Sequence, residues 1–250
     1  MAAIEFGGLT YAPMEVIVDP RKGFWLFGYG SVVWKVCALL MKCQKPSSIT
    51  QRIPHEQVDF EHDDRKSGFV EGFARRFWQA SPDHRGIPER PGRVCTLLSA
   101  ADAEALEPGS ASGPNEYKVH GCAYHVPANK GPSVMEGLLF REKAGYTQRL
   151  VDVTCTDGST VQALVFVGEP AGEHFAGYQP GSEIAEIISK SAGPSGPNLE
   201  YFLKLYAALE TEGQLDSHLR NIYTELERLG AVLHADTGVT ASTDSAQSPS

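Results

Sequence analysis

Hydrophobic positions divide this chain into two regimes. Up to about residue 167 they come in short runs or alternate. Beyond Gly181 they recur three or four residues apart. Phe24-Trp25-Leu26-Phe27 is an apolar run of strand length, closed by Gly28-Tyr29-Gly30-Ser31 and followed at once by Val32-Val33-Trp34. Ser67 to Trp78 also reads as a strand. Its Phe69, Phe73 and Phe77 are punctuated by Gly68 and Gly72, which mark bulges or close backbone approaches. Further strands are predicted over 93–98 and 117–126. Asp157-Gly158, between the apolar runs 151–155 and 161–167, predicts a hairpin. Ser133-Val134-Met135-Glu136 fits a capping box opening a short helix to about Arg141 or Glu142. Residues 81–88 and 99–116 read as loops.

In the last third, Ile184, Ile187 and Ile188 form one helical stripe after Ser182, stopped by Gly193-Pro194-Ser195-Gly196-Pro197. Asn198 is placed to cap the next helix, whose stripe is Leu199, Phe202, Leu205, Tyr206 and Leu209. A third helix carries Leu215, Leu219, Ile222, Leu226 and Leu229 and closes at Gly230. Strands followed by helices predict an α+β fold, not a doubly wound parallel sheet. The expected organisation is a flexible extension over 1–22, with strand character at 14–18, one domain over 23–230, and a disordered Ser/Thr-rich tail over 231–250.

Composition narrows the function. The 250 residues are 42% hydrophobic and 21% charged, enough for a sizeable core. A net charge of -9 speaks against a general nucleic-acid or anionic-membrane surface. The five cysteines (Cys37, Cys43, Cys95, Cys122, Cys155) are scattered and read as free thiols in a reducing compartment. With no secretory pattern or membrane-length apolar run, a cytoplasmic location is expected. No cluster has metal-ligand spacing, so no metal or cofactor is expected, and His84 reads as a structural or surface histidine.

Three stretches could carry chemistry. Successive amides in the Gly28–Ser31 turn could hold an anion. Arg75 and Arg76, with Arg85, Arg90 and Arg93, form a basic cluster suited to carboxylates or phosphates. Glu142, between Arg141 and Lys143, could move protons if held in a pocket. Singly, these also fit a tight turn with buried aromatics, a salt-bridged surface and a surface ion pair.

Together and in order they are specific. Phe27-Gly28-Tyr29-Gly30-Ser31-Val32 is followed by Arg75-Arg76-Phe77-Trp78-Gln79, Asp83-His84-Arg85-Gly86 and Pro91-Gly92-Arg93-Val94. Then come Phe140-Arg141-Glu142-Lys143-Ala144-Gly145-Tyr146 and Ala192-Gly193-Pro194-Ser195-Gly196-Pro197-Asn198-Leu199-Glu200-Tyr201. From about Phe24 to Leu229 the chain resembles the ChaC-like, glutathione-specific gamma-glutamylcyclotransferases. The resemblance implies a mixed, closed or nearly closed β-barrel with packed helices. It also implies cyclisation of the gamma-glutamyl group of reduced glutathione, releasing 5-oxoproline and cysteinylglycine. Tyr29, Gly30, Ser31 and Val32 would bind that group, Glu142 would be the acid–base, and Tyr201 would be a substrate-site residue. The Gly30–Val32 amides would hold either the glutamyl carboxylate or the oxyanion, and Arg85 or Arg93 would meet the glycine carboxylate.

Two departures stand out. Val32 occupies a position where the family usually has leucine. About twenty residues, roughly 37–57, are inserted after Trp34-Lys35, before Val58-Asp59-Phe60. A lid, a partner surface and a segment that impairs folding all stay open for the insertion. Two alternative functions also stay open: cyclisation of other gamma-glutamyl amino acids or amines, and binding of gamma-glutamyl compounds without turnover.

Overall fold

In the computed structural model the described residues are 4–6, 9–11, 22–33, 60–109, 117–141 and 146–232. The expected insertion at about 37–57, Met14 to Val18, and the tail from 233 onward lie outside them. At the start of the chain, β1 (Ile4–Phe6) pairs antiparallel with β2 (Leu9–Tyr11).

The core is a closed barrel of β3 (Phe24–Gly28), β7 (Lys118–Val126), β4 (Asp64–Glu71), β8 (Tyr146–Cys155) and β9 (Thr160–Gly168), in that order. β3 runs antiparallel to β7 and closes the barrel by pairing parallel with β9. The β8–β9 hairpin turns at Asp157-Gly158 as expected, with Gly158 at φ 83°. β8 begins at Tyr146, before the apolar run, because residues 146–150 already pair with 164–168 of β9, although its first seven residues are only half-buried or exposed.

The stretch from Ser67 to Trp78 is not one strand. Gly72, at φ 79°, breaks it, since this backbone conformation suits glycine and ends regular pairing. β4 stays in the barrel, while β5 (Phe73–Ser81) pairs with β6 (Gly92–Ser99) in a separate two-stranded sheet. Gly68 is the close approach: a Cβ there would stand 2.5 Å from the Thr154 carbonyl oxygen.

The expected loop at 99–116 opens instead with α1 (Ala100–Leu106). Ser99 accepts from the Asp102 amide at 3.1 Å, and the alanine-rich run favours helix. Residues 110–116 are outside the described set. α2 (Gly131–Arg141) starts two residues before Ser133, which therefore does not cap it; its hydroxyl donates to the Lys130 carbonyl at 3.0 Å. Val134, Met135 and Leu138 of α2 pack on Phe24, Leu26, Leu164 and Phe166 of the barrel.

Three helices cover the β5–β6 sheet: α3 (Gly181–Lys190), α4 (Asn198–Thr211) and α5 (Ser217–Arg228). Between α3 and α4, β10 (Ala192–Gly193) and β11 (Gly196–Pro197) form a minimal hairpin. α4 is the central helix and is buried on nearly every side. Asn198 does not cap it. Pro197 holds that position without a side-chain bond, and the Asn198 carboxamide is spent on β6.

His218 on α5 joins the helices to the sheet. Its Nε2 accepts the Phe77 amide at 2.9 Å, and its ring lies against Phe77 and Trp78. Burial, helped by Arg76 and Arg75, holds this imidazole well below its ordinary value. Above about pH 6.5 the group is neutral in both states and contributes no pH dependence. Below it the unfolded chain takes up the proton while the folded protein resists. Stability should therefore fall on acidification by up to about 1.4 kcal/mol per pH unit from this group alone. His218→Gln keeps an acceptor for the Phe77 amide and should flatten the melting temperature between pH 6.5 and 5. An unchanged slope would remove His218 from that role.

Candidate active site

The turn after β3 is built by close packing. A Cβ on Gly28 would stand 2.7 Å from Cβ and Cγ1 of Val32, so the turn folds into the space glycine leaves empty. The Val32 side chain lies over Gly28 and so serves as the lid of its own turn. The Val33 amide donates to the Gly30 carbonyl at 3.0 Å. Tyr124 on β7 donates its hydroxyl to the Val32 carbonyl at 3.1 Å. Tyr29 is buried and donates its hydroxyl to the Phe166 carbonyl of β9 at 2.7 Å. Tyr29 thus anchors the turn to the barrel, while Gly30, Ser31 and Val32 remain half-exposed.

Gly30 faces α4 and β6. A Cβ there would stand 3.5 Å from the Tyr201 hydroxyl and 3.7 Å from Cys95 Cβ. That hydroxyl accepts the Cys95 amide at 3.3 Å. Burial pushes the Cys95 thiol up to about 12, so at neutral pH it is a packing group and not a nucleophile. Arg85 places its guanidinium carbon 5.6 Å from the Tyr201 ring centroid and donates to the Pro197 carbonyl at 3.2 Å. Turn, phenol and guanidinium come from segments more than fifty residues apart, and they meet here.

The glycine-rich segments around Arg85 interlock backbone to backbone. A Cβ on Gly86 would stand 2.1 Å from the Gly92 nitrogen. One on Gly92 would stand 2.5 Å from the Arg85 carbonyl oxygen, and one on Gly193 2.4 Å from the His84 carbonyl oxygen. Asn198, fully buried, accepts the Arg93 amide through Oδ1 at 2.7 Å and donates Nδ2 to the Arg93 carbonyl at 2.8 Å. The start of α4 is thereby fastened to β6.

The basic cluster splits into two populations. Arg75 and Arg76 are buried struts. Arg75 pairs with Asp216 at 2.9 Å and donates to the His120 carbonyl, while Arg76 pairs with Glu107 at 3.2 Å and lies over Trp78. Arg85 and Arg93 are half-buried beside the start of α4, and Arg90 is exposed. Arg93 donates Nε to Gln179 Oε1 at 2.7 Å, and burial lowers its pKa. His84 is exposed, 3.5 Å from the Ser195 hydroxyl through Nδ1. Glu142 lies outside the described residues, in the connection 142–145 between α2 and β8.

Sequence reasoning passed over Asn198 as a strand clamp, Cys95 as a wall of the site, and Gln179. It also passed over Lys204, a buried lysine paired with Glu200 at 2.6 Å. For the last, the i,i+4 spacing on a helix was the available signal. A turn backbone, a phenol and a cation in one place suit an anionic ligand. No helix among the described residues is long and apolar enough to cross a membrane.

Residues 56–229 match the family model described as ChaC-like protein. The chain is 31% identical over 226 residues to the glutathione-specific gamma-glutamylcyclotransferase of Saccharomyces cerevisiae, covering 77% of this chain and 88% of that one. It is 34% identical over 206 residues to the glutathione-specific gamma-glutamylcyclotransferase 1 of Mus musculus, covering 82% and 78% respectively. The crystal structure of the yeast glutathione-specific enzyme superposes with a TM-score of 0.63 at 28% identity, over 83% of this chain and 99% of that one.

Proposed function

The chain belongs to the ChaC-like family, and on that premise we propose that it cyclises the gamma-glutamyl group of glutathione, releasing 5-oxoproline and cysteinylglycine. The observation that carries this beyond kinship is the convergence of the Tyr29–Val32 turn on Tyr201 and Arg85. This convergence brings the backbone of a glycine-containing turn, a phenol and a cation together.

The reaction is intramolecular. The α-amine of the glutamyl group attacks its own side-chain carbonyl, a five-membered lactam forms, and the amine of cysteinylglycine leaves. Glu142 takes the proton from the attacking ammonium and returns it to the leaving nitrogen. Backbone amides at Gly30–Val32 hold the glutamyl carboxylate or the developing oxyanion. Tyr29 acts through its anchorage to β9, and Ser31 through its place in the turn. Tyr201 stands opposite Gly30 and serves as a substrate-site residue. Folding the amine back onto the carbonyl is itself catalytic, because ring closure in a fixed pose avoids most of the entropy cost. Arg85 or Arg93 meets the glycine carboxylate of the substrate. The protein acts in the cytoplasm on a small-molecule substrate.

Incubation of the purified protein with reduced glutathione should yield 5-oxoproline and cysteinylglycine in equal amounts. Gamma-glutamyl-alanine should react far more slowly. No 5-oxoproline from a folded protein would overturn the proposed activity, and faster turnover of gamma-glutamyl-alanine would overturn its specificity.

A further inference from the structure

Arg85 and Arg93 differ in how far the protein already satisfies them. Arg85 stacks on Tyr201 and has an anion nearby: its Nη1 and Glu200 Oε2 stand 3.2 and 3.3 Å from the same point, where a Cβ on Gly196 would lie. Arg93 has no carboxylate partner among the described residues. Its Nε is held by Gln179 Oε1 at 2.7 Å, and one Nη1 hydrogen goes to the Gly92 carbonyl at 3.1 Å. A guanidinium carries five N–H donors, so three have no partner among the described residues. Among the described residues this half-buried cation meets only neutral acceptors, a costly arrangement unless an anion arrives.

Its position is defined by β6. Side chains alternate along a strand, so Arg93 and Cys95 share a face and stand about 7 Å apart. Cys95 is the residue that meets Gly30 and Tyr201. An extended dipeptide spans about the same 7 Å. Asn198 clamps both backbone groups of Arg93, which fixes the direction of the side chain.

We propose that Arg93, oriented by Gln179 and Asn198, binds the C-terminal carboxylate of the departing dipeptide and so selects gamma-glutamyl peptides ending in a free carboxylate. This rests on the activity proposed above. Arg93 touches no reacting atom and acts on substrate binding.

The test compares glutathione with its glycine monoethyl ester. In the wild-type protein, blocking the carboxylate should lower kcat/KM about 30-fold, the scale of a lost charge-assisted contact, with the loss falling on KM. In Arg93→Gln the two substrates should react with equal, ester-like efficiency. Gln179→Glu keeps Arg93 but supplies an internal carboxylate, and should give the same loss of discrimination. That variant decides the matter if Arg93→Gln fails to fold. An ester penalty that persists in a folded variant, or is missing from the wild type, overturns this assignment while 5-oxoproline formation leaves the activity standing. No 5-oxoproline from wild type overturns the activity and this assignment with it.

Discussion

Glu142→Gln should retain the fold and lose 5-oxoproline formation about a thousand-fold, the upper range for a single acid–base group. The amide is isosteric and still offers an oxygen acceptor, so glutathione should bind. It cannot take a proton from the substrate ammonium or return one to the leaving nitrogen, and both transfers stop together. The measurement is 5-oxoproline release by wild-type and variant protein, with thermal melts and calorimetric glutathione binding alongside. A variant that melts normally, binds glutathione and turns it over at near wild-type rate would remove Glu142 from the mechanism. A variant that neither binds nor folds would give it a structural role instead.

The second large effect concerns stability. In Gly86→Ala the new methyl would fall 2.1 Å from the Gly92 nitrogen, 2.6 Å from the Ser81 carbonyl oxygen and 2.7 Å from the Arg90 carbonyl oxygen. All three are backbone atoms, so no side chain can swing aside. Relief requires the 82–91 loop to lift away from β6, at the expense of the Arg85 and Gly193 contacts. Overpacking of this kind costs about 3 kcal/mol or more. For a chain of this size that is a drop of about 10 °C in melting temperature. Gly158→Ala is the control: Gly158 has φ 83° but open space around it. That change should cost only about 1 kcal/mol of backbone strain. Equal destabilisation by the two substitutions would show that crowding at Gly86 is absorbed.

Elements whose chemistry is local were legible in the sequence. The Asp157-Gly158 hairpin and the three C-terminal helices follow from turn residues and periodicity alone. The errors lie where two local signals compete. Gly72 looks like Gly68, yet one breaks the chain between two sheets and the other lets β8 approach. Asn198 precedes a helix as a cap would, but a strand distant in sequence claims its carboxamide. Alanine and serine at 99–106 suit loop and helix alike, until Ser99 caps the Asp102 amide and Ala103 is buried. For the site, the local signals were the turn and the arginines. Nothing local separates Arg75, a buried strut, from Arg93, which faces no carboxylate among the described residues, because the difference lies in Asp216 and Gln179. The placement of Tyr201 opposite Gly30 is long-range geometry, and before the structure only family resemblance pointed to it.

The parallel seam between β3 and β9 sets the order in which a ribosome can deliver a working protein. β3 is among the first segments synthesised, but its neighbours are residues 118–126 and 160–168, and the hydroxyl of Tyr29 waits for the Phe166 carbonyl. The opposite wall, Tyr201, comes later still. At ordinary elongation rates the turn after β3 is exposed for on the order of ten seconds before its last partner exists. A nascent chain stopped before α4 therefore carries the turn without its Tyr201 neighbour. Ligand protection of the emerging chain against proteolysis should begin only after Tyr201 clears the exit tunnel.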